Sequence, residues 1–216
     1  MKKKSQYNFS NITLIILLFL LLTVPLLAAQ DSETSDEDAK VKIDYNSMGD
    51  QIFSINAGLF IPLFIHNPSP ASGEDAINSS NLSIGGTGSL YYGAYLNNNF
   101  QLGMEIGAMF SRSPNDNNFY MVPITFRGSY EFQLKNNLFS IPVFLGAGMC
   151  MTSYLEDFHV DMIFKPGAGF FWNYSSNWSF GTNMTYWWVP QIYPSDSELN
   201  RLGNFMDVSL SAVYHF

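Results

Sequence analysis

From residue 51 onward this chain alternates apolar and polar residues, and it does so in long runs. Residues 100–111 show it most plainly. Phe100, Leu102, Met104, Ile106, Ala108 and Phe110 occupy one phase, and Gln101, Gly103, Glu105, Gly107, Met109 and Ser111 the other. A period of two places the two phases on opposite faces of a β-strand. Runs of the same kind cover residues 52–65, 82–96, 119–132, 139–155, 161–174 and 178–189, and residues 206–216 close the chain with an eighth. Each reaches about ten residues, the length a tilted strand needs to cross a bilayer. Strands of soluble domains more often run to about five or six.

The connections alternate as well. Residues 97–99, 135–137 and 175–177 read as tight polar turns. Between them come longer links at 66–81, 112–118 and 190–203, and a short acidic link at 156–160. Short turns on one side and longer loops on the other are the asymmetry of outer-membrane barrels, and with eight strands both chain ends fall on the short-turn side. Pro62, Pro123, Pro142 and Pro166 cannot donate to a ladder, so the register around them stays open.

The two faces differ as a barrel requires. Most of the 16 glycines fall on the polar phase, beside large residues such as Tyr91, Tyr95, Phe144 and Trp187. An eight-stranded barrel has an interior just wide enough for side chains to fill. On the apolar phase, aromatics gather near strand ends. Phe100, Phe132, Phe139, Trp172, Tyr174, Trp178, Tyr214 and Phe216 would form one girdle, and Phe110, Tyr120, Phe164, Tyr186 and Trp188 the other. Composition agrees: aromatics make up 16% and charged residues only 13%, yet the mean hydropathy is close to zero because polar residues are interleaved.

The first residues read as a targeting device. Lys2, Lys3 and Lys4 precede an apolar stretch at 12–28, Pro25 interrupts it, and Ala28 and Ala29 offer a cleavage site. Residues 1–29 are therefore expected to be a secretory signal peptide, an uncleaved anchor being the other reading. The acidic run DSETSDED at 31–38 places a solvated, flexible periplasmic segment at 30–50. It lacks the glycine-bearing spacing of a calcium loop. Removing three lysines leaves the chain more acidic than its formal charge of −8. Such a balance offers no basic patch for nucleic acid. A lone cysteine, Cys150, excludes an internal disulfide and reads as a packing residue.

Residues 206–216 put Val208, Leu210, Ala212, Tyr214 and Phe216 on one face and stop on an aromatic, although a soluble meander could end in such a strand too. With the stretches PITFRGSYEF, FLGAGM and FKPGAGFFWNYSSNWSFG, region 51–216 resembles the eight-stranded outer-membrane barrels: OmpA transmembrane domains, OmpW-like proteins and opacity-type proteins. The resemblance implies an all-β fold, an eight-stranded antiparallel up-and-down transmembrane β-barrel at residues 51–216. It implies residence in the outer membrane of a double-membraned bacterium after export to the periplasm. Its partners would be outer-membrane lipid and the barrel-assembly machinery, for which the terminal strand is the recognition signal. The sequence departs from full-length OmpA in carrying no peptidoglycan-binding domain after the barrel.

Chemistry is sparse. The interior phase carries Glu105, Arg127, Glu131, Lys165 and Asp207, and buried ions need partners because desolvation costs several kcal/mol each. They are expected to form one charge network in the lumen, static or gating. His66, His159 and His215 are the histidines. Only His159, near Ser153, Glu156, Asp157 and Asp161, suggests a nucleophile–base pair or a metal site. The expectation is no enzyme, no cofactor and no metal. The leading function is a structural or surface-interaction role with a side-chain-filled lumen. The alternative is a small porin or OmpW-like conduit for small or hydrophobic solutes. The loops at 66–81 and 190–203, the latter with Ile192 and Tyr193, are the candidates for an extracellular ligand.

Overall fold

The alternation is realised as strands wrapped into a closed wall. The computed structural model describes residues 46–70, 73–134, 137–155, 157–193 and 200–216. The expected signal peptide and most of the acidic segment lie outside the described residues. The strands are β1 (Gln51–His66), β2 (Ile77–Ser79), β3 (Gly85–Tyr95), β4 (Phe100–Arg112), β5 (Asn118–Leu134), β6 (Phe139–Tyr154), β7 (Asp157–Asn173), β8 (Trp178–Gln191) and β9 (Arg201–His215). Each long strand pairs antiparallel with the next, and β9 pairs back onto β1 from Ile52↔His215 to His66↔Leu202. The chain is thus an all-β, eight-stranded antiparallel barrel, and closure removes the free edges that an open sheet would expose. β2 was not visible in the alternation. It hangs on the end of β1 through Phe64↔Ser79 and His66↔Ile77, beside the barrel wall.

The two ends of the barrel differ. At the turn end, Asn97 Oδ1 accepts hydrogen bonds from the amides of Asn99 (2.9 Å) and Phe100 (2.8 Å). Ser175 Oγ accepts likewise from the amides of Asn177 (3.3 Å) and Trp178 (3.1 Å). These side chains stand in for a backbone turn. The Phe216 amide donates to the Gln51 carbonyl at 2.9 Å, so the last residue is stitched to the first strand. Among the described residues, 67–70, 73–84, 113–117, 155, 192–193 and 200 lie at the loop end. The acidic link expected at 156–160 is mostly strand: β7 begins at Asp157 and pairs with β6 as far as Tyr154↔Asp157. Strands tall enough to rise beyond an apolar belt account for polar residues within them.

Outward residues form that belt. Leu59, Ile106, Phe126, Leu145, Met149, Met184 and Leu210 are exposed around the circumference. On β9, exposed Val208 and Leu210 alternate with buried Asp207, Ser209 and Ser211. Aromatic contacts tie both rims. At the turn end Trp178–Tyr214 (5.0 Å) and Tyr214–Phe216 (4.9 Å) are edge-on pairs. At the loop end Phe110–Tyr120 (5.3 Å) and Phe164–Trp188 (5.4 Å) pack together. Small residues are needed where strands approach: a Cβ on Gly58 would lie 2.1 Å from the Val208 carbonyl oxygen, across the β1–β9 closure.

Two expected orientations are corrected. Strict alternation through the run 52–65 puts Ile65 in the outward phase of Ile55 and Leu59, but the β1–β9 register shifts between Pro62 and Phe64, and the extra residue turns Ile65 inward. Strict alternation through the run 82–96 puts Leu82 in the outward phase of Ile84 and Leu90. The strand begins only at Gly85, and Leu82 folds over the interior and packs on its core. A third local feature concerns β7 and β8. Their pairing ends at Phe164↔Trp188, although β7 continues to Asp157 and β8 to Gln191. Along that seam Gln191 Nε2 donates to Asp161 Oδ2 (3.2 Å), and the rings of His159 and Tyr193 meet edge-on at 6.0 Å.

Candidate functional site

The lumen is stacked in layers, each built from the inward residues at one height of the wall. Nearest the turn end, Ile52, Tyr91, Tyr95, Phe171 and Val213 cluster. Tyr95 donates its hydroxyl to Glu131 Oε2 at 2.6 Å, and Tyr91 donates to Gln101 Oε1 at 3.2 Å. Ser179 Oγ lies 2.8 Å from Asn173 Oδ1 and 2.9 Å from His215 Nε2. A cavity of about 40 Å³ remains there. Above it, Ser211 Oγ donates to Asn56 Oδ1 (2.5 Å), Asn183 Nδ2 to Ser211 Oγ (2.7 Å) and Asn56 Nδ2 to Ser89 Oγ (3.0 Å). Four strands are knitted together through the interior.

The next layer is ionic. Glu105 of β4 accepts from Arg127 of β5 at 3.1 Å and from Lys165 of β7, on the far side of the lumen. The Arg127 guanidinium sits between two rings, 3.6 Å from the Phe144 centroid and 4.7 Å from that of Tyr91, and its Nε donates to Ser129 Oγ at 3.2 Å. Lys165 Nζ lies 4.4 Å from the Trp187 ring centroid, and Trp187 Nε1 donates to Asp207 Oδ2 at 2.6 Å. One indole thus offers its negative face to a cation and its N–H to a carboxylate. Glu105, Arg127, Lys165 and Asp207 carry two charges of each sign, and all four are buried. Glu131, expected in the same network, stands apart: its contact is Tyr95, nearer the turn end. Its position four residues along β5 from Arg127 puts it two inward positions lower, beyond reach.

Above the ions lies an apolar plug of Phe60, Met109, Met121, Cys150, Ile163, Trp187, Val189 and Phe205, from seven strands. Phe60 packs on Trp187 (5.6 Å) and Phe205 (5.1 Å). Sequence reasoning identified Trp187 as an interior filler but missed this layer. The signal was present: apolar residues recur on the polar phase in the loop-side half of strand after strand. Cys150 is fully buried here, as a packing residue should be.

The plug is the floor of a cup open at the loop end, with a volume of about 360 Å³. His159 stands in its wall on β7, so it is a strand residue and not the loop residue expected. Thr152, which shares its inward face, pairs with it across the β6–β7 ladder. Ser153 is one position along β6 from Thr152 and points to the other side of the wall, so the pleat separates it from His159. The nucleophile–base pairing of Ser153 with His159 is thereby excluded. Glu156 lies outside the described residues, and among those described no group of three or more His, Cys, Asp or Glu is arranged to hold a metal ion.

Known proteins align with this chain over most of its length. A protein-family model matches residues 31–214. A protein of Borreliella burgdorferi is 29% identical over 180 residues, covering 74% of this chain and 80% of its own. One of Treponema pallidum is 28% identical over 204 residues, covering 89% and 92%. The crystal structure of Neisserial surface protein A superposes with a TM-score of 0.58, covering 78% of this chain and 97% of that one, at 11% identity. At that identity the likeness is one of fold.

Proposed function

We propose, for a chain that belongs to the family matched at residues 31–214 and has the eight-stranded outer-membrane barrel fold, a structural and surface-interaction role in the outer membrane with a lumen closed to solutes. The observation that carries this reading is the stacking of the apolar plug directly on the buried Glu105–Arg127–Lys165 cluster. A solute would have to part both layers. Opening the first exposes apolar surface, and opening the second strands buried charge.

The rest of the reading follows from placement. Residues 1–29 direct export, and 30–50 are a solvated acidic segment in the periplasm. The turn end, where β1 begins and β9 ends, faces the periplasm, and the loop end faces outward. Lipid is the partner of the apolar belt, and the barrel-assembly machinery of the terminal strand ending at Phe216. Lumen chemistry is structural, not catalytic. The surface available for an external ligand is the loop end, where loops on a rigid wall can vary without disturbing it.

The test is solute flux into liposomes carrying the mature chain. Exclusion of ions and glucose by correctly inserted protein is the expected result. Entry above protein-free controls would overturn the closed lumen. It would favour the conduit reading, for which the open cup above the plug is the one supporting feature.

A further inference from the structure

The geometry points to a binding site for one monovalent metal cation, sodium or potassium, at the turn end of the lumen, with Glu131 as its anionic ligand. The site lies below the ionic layer, so a closed or an open lumen leaves it equally in place. The first observation is a buried carboxylate without a counter-ion. Glu131 is 6% exposed. Tyr95 donates one hydrogen bond to its Oε2, and among the described residues no lysine, arginine or histidine is paired with it. A phenol hydrogen bond leaves the charge itself uncompensated, and buried charges are as a rule paired or bound to a metal. Arg127 and Lys165 are both committed to Glu105, and the other arginines among the described residues, Arg112 and Arg201, stand at the loop end. Asp50 adds negative charge at the same rim: its carbonyl accepts the Tyr95 amide at 2.8 Å and its carboxylate the Ser47 amide at 2.7 Å. Such a field attracts cations.

The second is space beside that carboxylate, with a way in. Glu131 lines the turn-end cavity of about 40 Å³ together with Ser140, Asn173, Ser179 and His215. Glu131, Asn173, Ser179 and His215 also line a smaller cavity of about 20 Å³, which runs to the turn residues Ser175 and Ser176. Ser176 is exposed, so an ion from solvent can reach the carboxylate.

The third is a set of neutral oxygens around it. Ser140 is 3% exposed, lines the larger cavity, and its hydroxyl makes no hydrogen bond to another described residue. It stands one inward position from Pro142, the ladder partner of Glu131. A buried hydroxyl left without a partner is a site where a bound ion gains. Asn173 Oδ1 and Ser179 Oγ, 2.8 Å apart, add two more oxygens on the far side of the cavity. One carboxylate among neutral oxygens fits a single positive charge. A divalent ion such as calcium draws about six to eight oxygens, several of them from carboxylates, and among the described residues no group of three or more His, Cys, Asp or Glu is arranged to hold one.

The probes are sodium and potassium chloride, titrated against N-methylglucamine chloride at constant ionic strength. The mature chain is held in nanodiscs of zwitterionic lipid with its glutamate side-chain carboxyls labelled with carbon-13, and Glu131→Gln identifies the Glu131 signal. The expected result is a saturable shift of that signal with sodium or potassium and none with N-methylglucamine, whose bulk keeps it out. The Glu105 signal should stay still, since that carboxylate already has two cations. Ser140→Ala should weaken binding about three- to tenfold while leaving the barrel folded. The urea midpoint of the parent should rise with the bound salt, and Glu131→Gln should lose that dependence. A Glu131 signal that neither metal cation moves overturns the proposal. So does one that sits at the position of a carboxylic acid throughout, because a neutral Glu131 needs no counter-ion. Lys135, outside the described residues, shares the phase of Glu131 in the sequence. Cation binding that emerges only in Lys135→Gln would make the lysine the natural counter-ion and overturn the proposal too.

Discussion

Lys165 of β7 reaches across the barrel to Glu105 of β4, three strands away in the wall, and so makes one carboxylate the shared partner of two cations, Arg127 being the other. A pair within one ladder would only reinforce a hydrogen-bonded seam. This one spans the lumen and fixes opposite walls at one separation. Desolvating the ions is offset only while the whole set is present.

Glu105→Gln should therefore destabilise the barrel by roughly 3–5 kcal/mol, because it leaves two buried cations without their anion. The double variant Glu105→Gln/Lys165→Gln should recover part of that loss. Urea unfolding of detergent-refolded or bilayer-inserted protein, followed by tryptophan fluorescence, measures both. A single variant as stable as the parent would mean that the carboxylate is not holding the walls.

Trp187 is the second joint of the same layer. Trp187→Phe keeps a ring in the plug but removes the N–H donated to Asp207 at 2.6 Å. The expected cost is about 1–3 kcal/mol, that of a buried acceptor left short of its donor. Asp207→Asn in the Trp187→Phe background should restore some stability, since the neutral amide needs less compensation. Unfolding midpoints of the parent and the two variants check the order.

These joints were only partly legible in the sequence. Period two assigned the inward phase of Glu105, Arg127, Lys165 and Asp207 because it survives any register. It could not set which heights meet across the lumen, which depends on strand tilt and stagger. Glu131 shares the phase of Arg127 and was grouped with it, yet lies two inward positions lower, beside Tyr95. Ile65 failed for a different reason. Residues 59–65 are apolar on both phases, so nothing in the alternation marks the extra residue after Pro62 that turns Ile65 inward. His159 was hidden by its acidic neighbours, which resemble a loop although β7 runs through them.

Phe205 closes the plug against Phe60 at 5.1 Å. Phe205→Ala should cost about 3–5 kcal/mol through the lost contacts and the cavity left behind. It should not make the barrel leak, because the ionic layer lies beneath. Glucose exclusion from liposomes should persist in Phe205→Ala. Flux from this single variant would show that the plug alone closes the lumen and that the Glu105 cluster does not.

The seam between β7 and β8 makes a prediction about motion. In an antiparallel ladder successive amides of a strand point to opposite neighbours. Along Asp157–Ile163 those facing β6 are in register with partners, while the pairing with β8 stops at Phe164↔Trp188. Hydrogen exchange should consequently alternate along this stretch, the β8-facing amides exchanging about tenfold faster or more than their β6-facing neighbours. The amides of Phe126 and Ala147, in ladders that continue on both sides, should stay slow. The bond from Gln191 Nε2 to Asp161 Oδ2 at 3.2 Å is what bridges the seam, so Gln191→Ala should speed the exposed set further and leave the other unchanged. Residue-resolved exchange by NMR in nanodiscs reads both effects, and uniform protection along Asp157–Ile163 would mean that the two strands are zipped to the loop end.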